Sequence, residues 1–114
     1  MSDTVFFKAP RNVLKATLSN SSQVAANPAV LYGISGYNSG AAQFIQLHDL
    51  ATTPADTAVP ALNIAVAAAS NYSIDFGVYG MAFAAGIFAC NSTTAPTKTI
   101  GAADCQFFAR LVPL

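Results

Sequence analysis

His48 and Asp49 are the first residues to test for chemistry, because a histidine held by a carboxylate makes a general base. His48 is the sole histidine among 114 residues. Neighbours in a strand point to opposite faces, so a relay between His48 and Asp49 has poor geometry. His48 therefore reads as an ordinary surface or interface residue. Acid–base hydrolysis needs two carboxylates across a cleft, whereas Asp49, Asp56, Asp75 and Asp104 are scattered singly through turns and strands. No short loop gathers the oxygen ligands that calcium requires. The serines lack a nucleophile-elbow pattern. The segment from Gly33 to Gly40 lacks the lysine of a phosphate loop and opens no helix, so it reads as a wide turn between two strands.

Cys90 and Cys105, the only cysteines, have no histidine cluster with which to complete a zinc site. They flank a loop rich in Asn, Ser, Thr and Pro, and in a symmetric hairpin they would face one another. A disulfide is then open. In a reducing compartment they read instead as two small buried hydrophobes. Tyr32, Tyr37, Tyr72 and Tyr79 lie in or beside turns. Tyrosine joins apolar area to a polar tip, which suits an interface and a sugar platform alike. The sequence thus assigns no catalytic residue, no metal ligand and no cofactor, and the chain does not read as an enzyme.

The elements that carry these residues follow a period of two. Leu62, Ile64 and Val66 alternate with Asn63 and Ala65, while Tyr72, Ile74 and Phe76 alternate with Ser73 and Asp75. Breakers such as Asn20-Ser21-Ser22, Asn27-Pro28, Thr53-Pro54 and Asn91 to Pro96 separate the runs. The spacing predicts about eight short strands, near 4–9, 12–18, 29–35, 42–48, 60–67, 71–76, 83–91 and 104–112. The fold class is all-β: a single-domain antiparallel β-sandwich over residues 1–114, jelly-roll-like in strand count. The alanine-rich pieces at 65–69 and 81–89 are read as strand.

Composition points to company. Charged residues are 9% of the chain and hydrophobic ones 54%, against roughly 25% charged in an ordinary soluble chain. A monomer of this mass exposes about 5,900 Å², or one charge per roughly 600 Å², which protects poorly against sticking. Several strands carry bulky residues on both faces. Phe44, Phe88 and Phe108 fall on the faces opposite the core, where a sandwich supplies no cover. They are the expected interface residues together with Tyr32, Tyr37 and Tyr79; the alternative is that they lie under long loops. There is no basic stripe for nucleic acid. The apolar stretch from Phe76 to Cys90 falls short of a membrane span and is interrupted by glycines. With no signal peptide at the start, the expectation is a soluble protein made in the cytoplasm.

Two stretches carry a resemblance. One runs Leu31-Tyr32-Gly33-Ile34-Ser35-Gly36-Tyr37-Asn38-Ser39-Gly40 and on through Ala41-Ala42-Gln43-Phe44-Ile45-Gln46-Leu47-His48-Asp49. The other runs from Gly86-Ile87-Phe88-Ala89-Cys90 to Gly101-Ala102-Ala103-Asp104-Cys105. With the Asn71 to Phe76 strand, they resemble small structural proteins encoded among the virion genes of tailed bacteriophages and prophages. The resemblance implies a non-enzymatic capsid cement or decoration subunit at the virion surface. Its implied partners are copies of itself, with a trimer favoured, and the major capsid protein or other virion proteins. The competing reading is a receptor- or glycan-binding module on a tail or fibre, using Tyr32, Tyr37 or Tyr79. A bacterial pilus or surface-layer subunit is a further rival. The segment through Lys15 holds three of the five basic residues. It is either an extended arm over residues 1–12 that reaches a neighbour or the shell, or simply the first strand.

Overall fold

The computed structural model describes residues 10–114. The described chain is all-β and forms two antiparallel sheets. Nine strands follow one another: β1 (Arg11–Ser19), β2 (Ser21–Ala25), β3 (Ala29–Asn38), β4 (Gln43–His48), β5 (Leu62–Val66), β6 (Ser70–Asp75), β7 (Met81–Phe83), β8 (Ile87–Ser92) and β9 (Cys105–Pro113). One sheet runs β1-β9-β3-β6 with β7 also on β3, and the other runs β2-β8-β4-β5. The strand expected at 4–9 and most of the arm expected over 1–12 lie outside the described residues. Arg11 and Asn12 belong to β1.

Alternation builds the core. Ile45, Leu47, Ile87 and Ala89 from the second sheet meet Leu31, Ile34, Phe107 and Leu111 from the first, all but dry. Tyr72 joins this cluster and donates its hydroxyl to the Gln106 carbonyl at 2.7 Å. Burial pushes that phenol well above its ordinary pKa. Tyr72 is therefore a core residue.

Three expectations are corrected. The segment Gly33 to Gly40 is not a wide turn: β3 runs through Asn38. A Cβ at Gly36 would lie 2.7 Å from the Tyr72 hydroxyl and 2.8 Å from the Gln106 carbonyl carbon, so glycine here admits β9 rather than turning the chain. The strand expected at 83–91 is two strands in different sheets, divided at Ala84–Gly86. The Asp49 carboxylate fastens this crossing by accepting the N–H groups of Ala85 at 2.8 Å and Ala84 at 3.1 Å. An unforeseen strand, β2, begins inside the expected breaker at 20–22 and ends before the one at 27–28. Its Ser-Ser-Gln-Val-Ala sequence offers too little apolar alternation to read as one.

Register reveals one more feature. β6 and β7 run along the same side of β3, with Asp75 opposite Gly33 and Met81 opposite Leu31. Residues 76–80 therefore stand opposite the single residue Tyr32. This is an outsized bulge of the kind that re-aims side chains. The nine strands thus form eight lines.

Candidate surface site

The two outer faces differ, and that difference locates the candidate site. On the β2-β8-β4-β5 sheet the outward residues Gln46, His48, Phe88, Cys90 and Ser92 of the middle strands are buried, while Gln23, Asn63 and Ala65 on the edge strands are exposed. The chain covers the buried ones itself. Gln46 donates from Nε2 to Asn63 Oδ1 at 2.8 Å and to the Thr94 carbonyl at 3.2 Å. Gln23 donates to the Ala51 carbonyl at 2.6 Å. The loops after β4 and β8 are laced to each other, Thr57 N–H to the Lys98 carbonyl at 2.8 Å and Lys98 N–H to the Ala58 carbonyl at 2.9 Å. The Lys98 ammonium is buried, bonds the Pro54 carbonyl and lies 3.8 Å from Asp56 Oδ1.

His48 is thus not a surface residue. It is 1% exposed. Gln46 commits its amide nitrogen elsewhere, so its oxygen accepts from His48 Nε2–H at 3.2 Å, and Nδ1 has no partner among the described residues. Burial, with Lys98 nearby, lowers the His48 pKa and keeps the ring neutral. The two cysteines are free and buried. They sit in different sheets, Cys90 on β8 and Cys105 on β9, because the chain between them crosses the sandwich instead of forming a hairpin. Burial raises each thiol to about 11, away from reactivity.

Among the described residues the β1-β9-β3-β6 sheet has no such cover. Register lays its outer face in rows: Asn12, Arg110, Gly33 and Asp75 in one, Leu14, Phe108, Ser35 and Ser73 in the next. Small residues at the centre make a shallow groove of about 570 Å³. One wall carries Leu14, Phe108 and Arg110; the other carries Asp75, Gly77 and Val78, with Tyr32 also on the lining. Leu14 is 65% exposed, Val78 87% and Tyr79 92%.

The expected interface residues divide between these faces. Tyr32 and Phe108 line the groove. Tyr37 is half-buried farther along β3, opposite Asn71, and Tyr79 projects from the bulge. Phe44 is half-buried near the β5 edge, beside Ala65 in a smaller apolar hollow. Phe88 is already buried within the single chain, so its cover needs no neighbour. Sequence reasoning missed Leu14, Asp75, Val78 and Arg110. Gly77 and Gly80, both with positive φ, were the available sign of the bulge.

Electrostatically the groove is balanced. Arg110 forms no ion pair among the described residues, where the single pair is Lys98–Asp56. Asp75 accepts from the Gly77 N–H at 2.7 Å. Arg110 and Asp75 stand two strand spacings apart, about 10 Å, across the side-chain-free Gly33. No three His, Cys, Asp or Glu side chains converge on a metal position among the described residues. The face offers apolar area and two opposite charges. Set against protein-family models, curated proteins and solved structures, the chain matches none.

Proposed function

We propose that the chain is a non-catalytic structural subunit of a virion, of the capsid cement or decoration type, acting through homo-oligomeric and shell contacts. One observation carries the reading. The chain covers the middle of one sheet with its own loops, whereas among the described residues Leu14, Val78 and Tyr79 stand exposed and Phe108 half-buried at the other. A protein that closes one outer face and opens the other has an assembly face. The strand pairs support a jelly-roll topology for the sandwich. With β6 and β7 taken as one line, β1 pairs β9, β2 pairs β8, β3 pairs β6 and β4 pairs β5. That nesting is what rolling up one long hairpin produces. Jelly rolls build viral capsid domains and lectins alike, so topology alone does not choose the role.

Two measurements test the reading. Light scattering on the purified chain reports its native mass, with a closed oligomer, the trimer above all, as the expected result. Mass spectrometry of purified phage particles from the source strain then looks for the chain at a fixed ratio to the major capsid protein. Particles that lack it overturn the virion assignment.

The groove supports a second reading, a glycan-binding module on a tail or fibre. Asn12, Asp75 and Arg110 surround a floor of Gly33, Ser35 and Ser73 beside Tyr32, and planar polar groups near an aromatic ring suit sugar hydroxyls and C–H faces. Calorimetric titration with host polysaccharide tests it. Saturable heat that Asp75→Asn abolishes, from a chain that stays monomeric, favours this reading over the first.

A further inference from the structure

We infer that the bulge at residues 76–80 and the groove beside it are the two halves of one contact, in which the bulge of one copy of this chain enters the groove of the next. This rests on reading the chain as a self-associating subunit and assigns the surface that does it.

The bulge is built rather than slack. Gly77 and Gly80 hold φ of 78° and 70°, which side chains rarely adopt. A Cβ at Gly80 would press on Val30 Cγ1 at 2.5 Å and the Leu31 carbonyl oxygen at 2.9 Å, so the bulge root is packed against β3. Asp75 ties down the Gly77 N–H at 2.7 Å. Within this fixed frame Val78 and Tyr79 are held out into water at 87% and 92% exposure. Exposing two large apolar side chains from a braced turn is unfavourable in a lone chain and favourable once they are covered.

Charge chooses the cover. The anion, Asp75, belongs to the bulge side of the groove, and the cation, Arg110, to the far wall with Leu14 and Phe108. Their backbones stand about 10 Å apart in one chain, and the two side chains form no ion pair there among the described residues. When a bulge enters a neighbour's groove, its Asp75 approaches the neighbour's Arg110 while Val78 and Tyr79 cover Leu14 and Phe108. Bulge against bulge would oppose two carboxylates, and wall against wall two guanidiniums, so like halves repel. Because the bulge borders the groove on one face, the contact is either two-fold, with each bulge in the other's groove at once, or head-to-tail, which closes into a ring when the rotation permits.

The test is sedimentation equilibrium over a range of concentrations for the wild type and four variants: Tyr79→Ser, Arg110→Glu, Asp75→Lys and the double Arg110→Glu/Asp75→Lys. The expected result is a Kd between copies raised about 10- to 100-fold by Tyr79→Ser and by either charge reversal. The double reversal returns it to within about 10-fold of wild type, because the two charges meet between copies. Asp75→Lys also loses the bond to Gly77, so melting temperatures accompany each variant, and Tyr79→Ser tests the contact without touching that bond. A wild type that associates while Tyr79→Ser and Arg110→Glu leave Kd unchanged overturns this surface and spares the self-association reading. A wild type that stays monomeric at every concentration overturns both.

Discussion

Truncating Phe88 and Phe108 in turn separates a face covered by its own loops from the face proposed for assembly. Both side chains point away from the core, on opposite sheets. Phe88 is 6% exposed in the single chain and sits between Gln23 and His48 on the neighbouring strands. Phe88→Ala therefore leaves a cavity under the loops, at a cost of about 3–5 kcal/mol. Phe108 is half-buried in the groove wall, and removing it from an isolated chain costs roughly half as much, about 2 kcal/mol. For a domain of this size each kcal/mol moves the melting temperature by about 4 °C. The expected losses are about 12–20 °C for Phe88→Ala and about 8 °C for Phe108→Ala at a dilution that dissociates any oligomer. Raising the concentration stabilises the wild type through mass action, and Phe108→Ala forfeits part of that gain while Phe88→Ala keeps it. The assay is thermal unfolding by circular dichroism at two concentrations about 100-fold apart. Equal losses for the two variants at high dilution would refute the claim that the loops cover the middle of the second sheet, and the asymmetry behind the assembly face would go with it.

Three further outcomes follow from the same geometry. Gly36→Ala forces a methyl group against the Gln106 carbonyl and the Tyr72 hydroxyl; because the obstacle is backbone, the expected cost is about 3 kcal/mol or more in urea unfolding, and Tyr72→Phe in the same chain does not rescue it. His48 has a folded pKa below its ordinary 6.5, so as pH falls below about 6.5 the unfolded chain takes up a proton that the folded chain refuses. Stability then declines by up to about 1.4 kcal/mol per pH unit, and His48→Gln flattens urea midpoints between pH 7 and 5, above the range in which Asp49 titrates. Backbone donors Ala85, Ala84 and Gly86 lower the Asp49 pKa below its ordinary 3.8, so its contribution is present above that value and lost as pH falls through the folded pKa. Asp49→Ala, which frees the same N–H groups, costs about 1 kcal/mol at pH 7 by thermal melting.

Most of the sandwich was legible because alternation is a direct record of two-sided packing. Leu62-Asn63-Ile64 and Tyr72-Ser73-Ile74-Asp75 declare their inner faces residue by residue, and the structure places them so. Two kinds of feature were not legible. One is continuity along the chain that hides a change of partner: Met81 to Ala89 reads as one apolar run, yet it spans both sheets, and only Gly86 marks the crossing. A Cβ at Gly86 would lie 2.6 Å from the Ala25 carbonyl oxygen. The other is anything set by register. That Arg110, Gly33 and Asp75 share a row depends on which strands pair, and no local pattern announces it.

The scarcity of charge has two causes in this molecule, and they bear differently on assembly. Part of it belongs to the inside. Asn38, Gln43, Gln46 and Asn91 are buried neutral amides. Asn91 donates to Gln43 Oε1 at 2.8 Å, and Gln43 donates to Asn38 Oδ1 at 2.8 Å. Such groups join loops to sheets without the desolvation cost of buried ions. A surface covered by its own loops needs no charges, so the composition overstated how much of the chain a neighbour must hide. The remainder belongs to the β1-β9-β3-β6 face, where Arg110 and Asp75 are the charges lining an otherwise neutral groove. One cation and one anion, on strands about 10 Å apart, add little to solubility on a partly apolar face. In the proposed contact between copies they set the direction of approach.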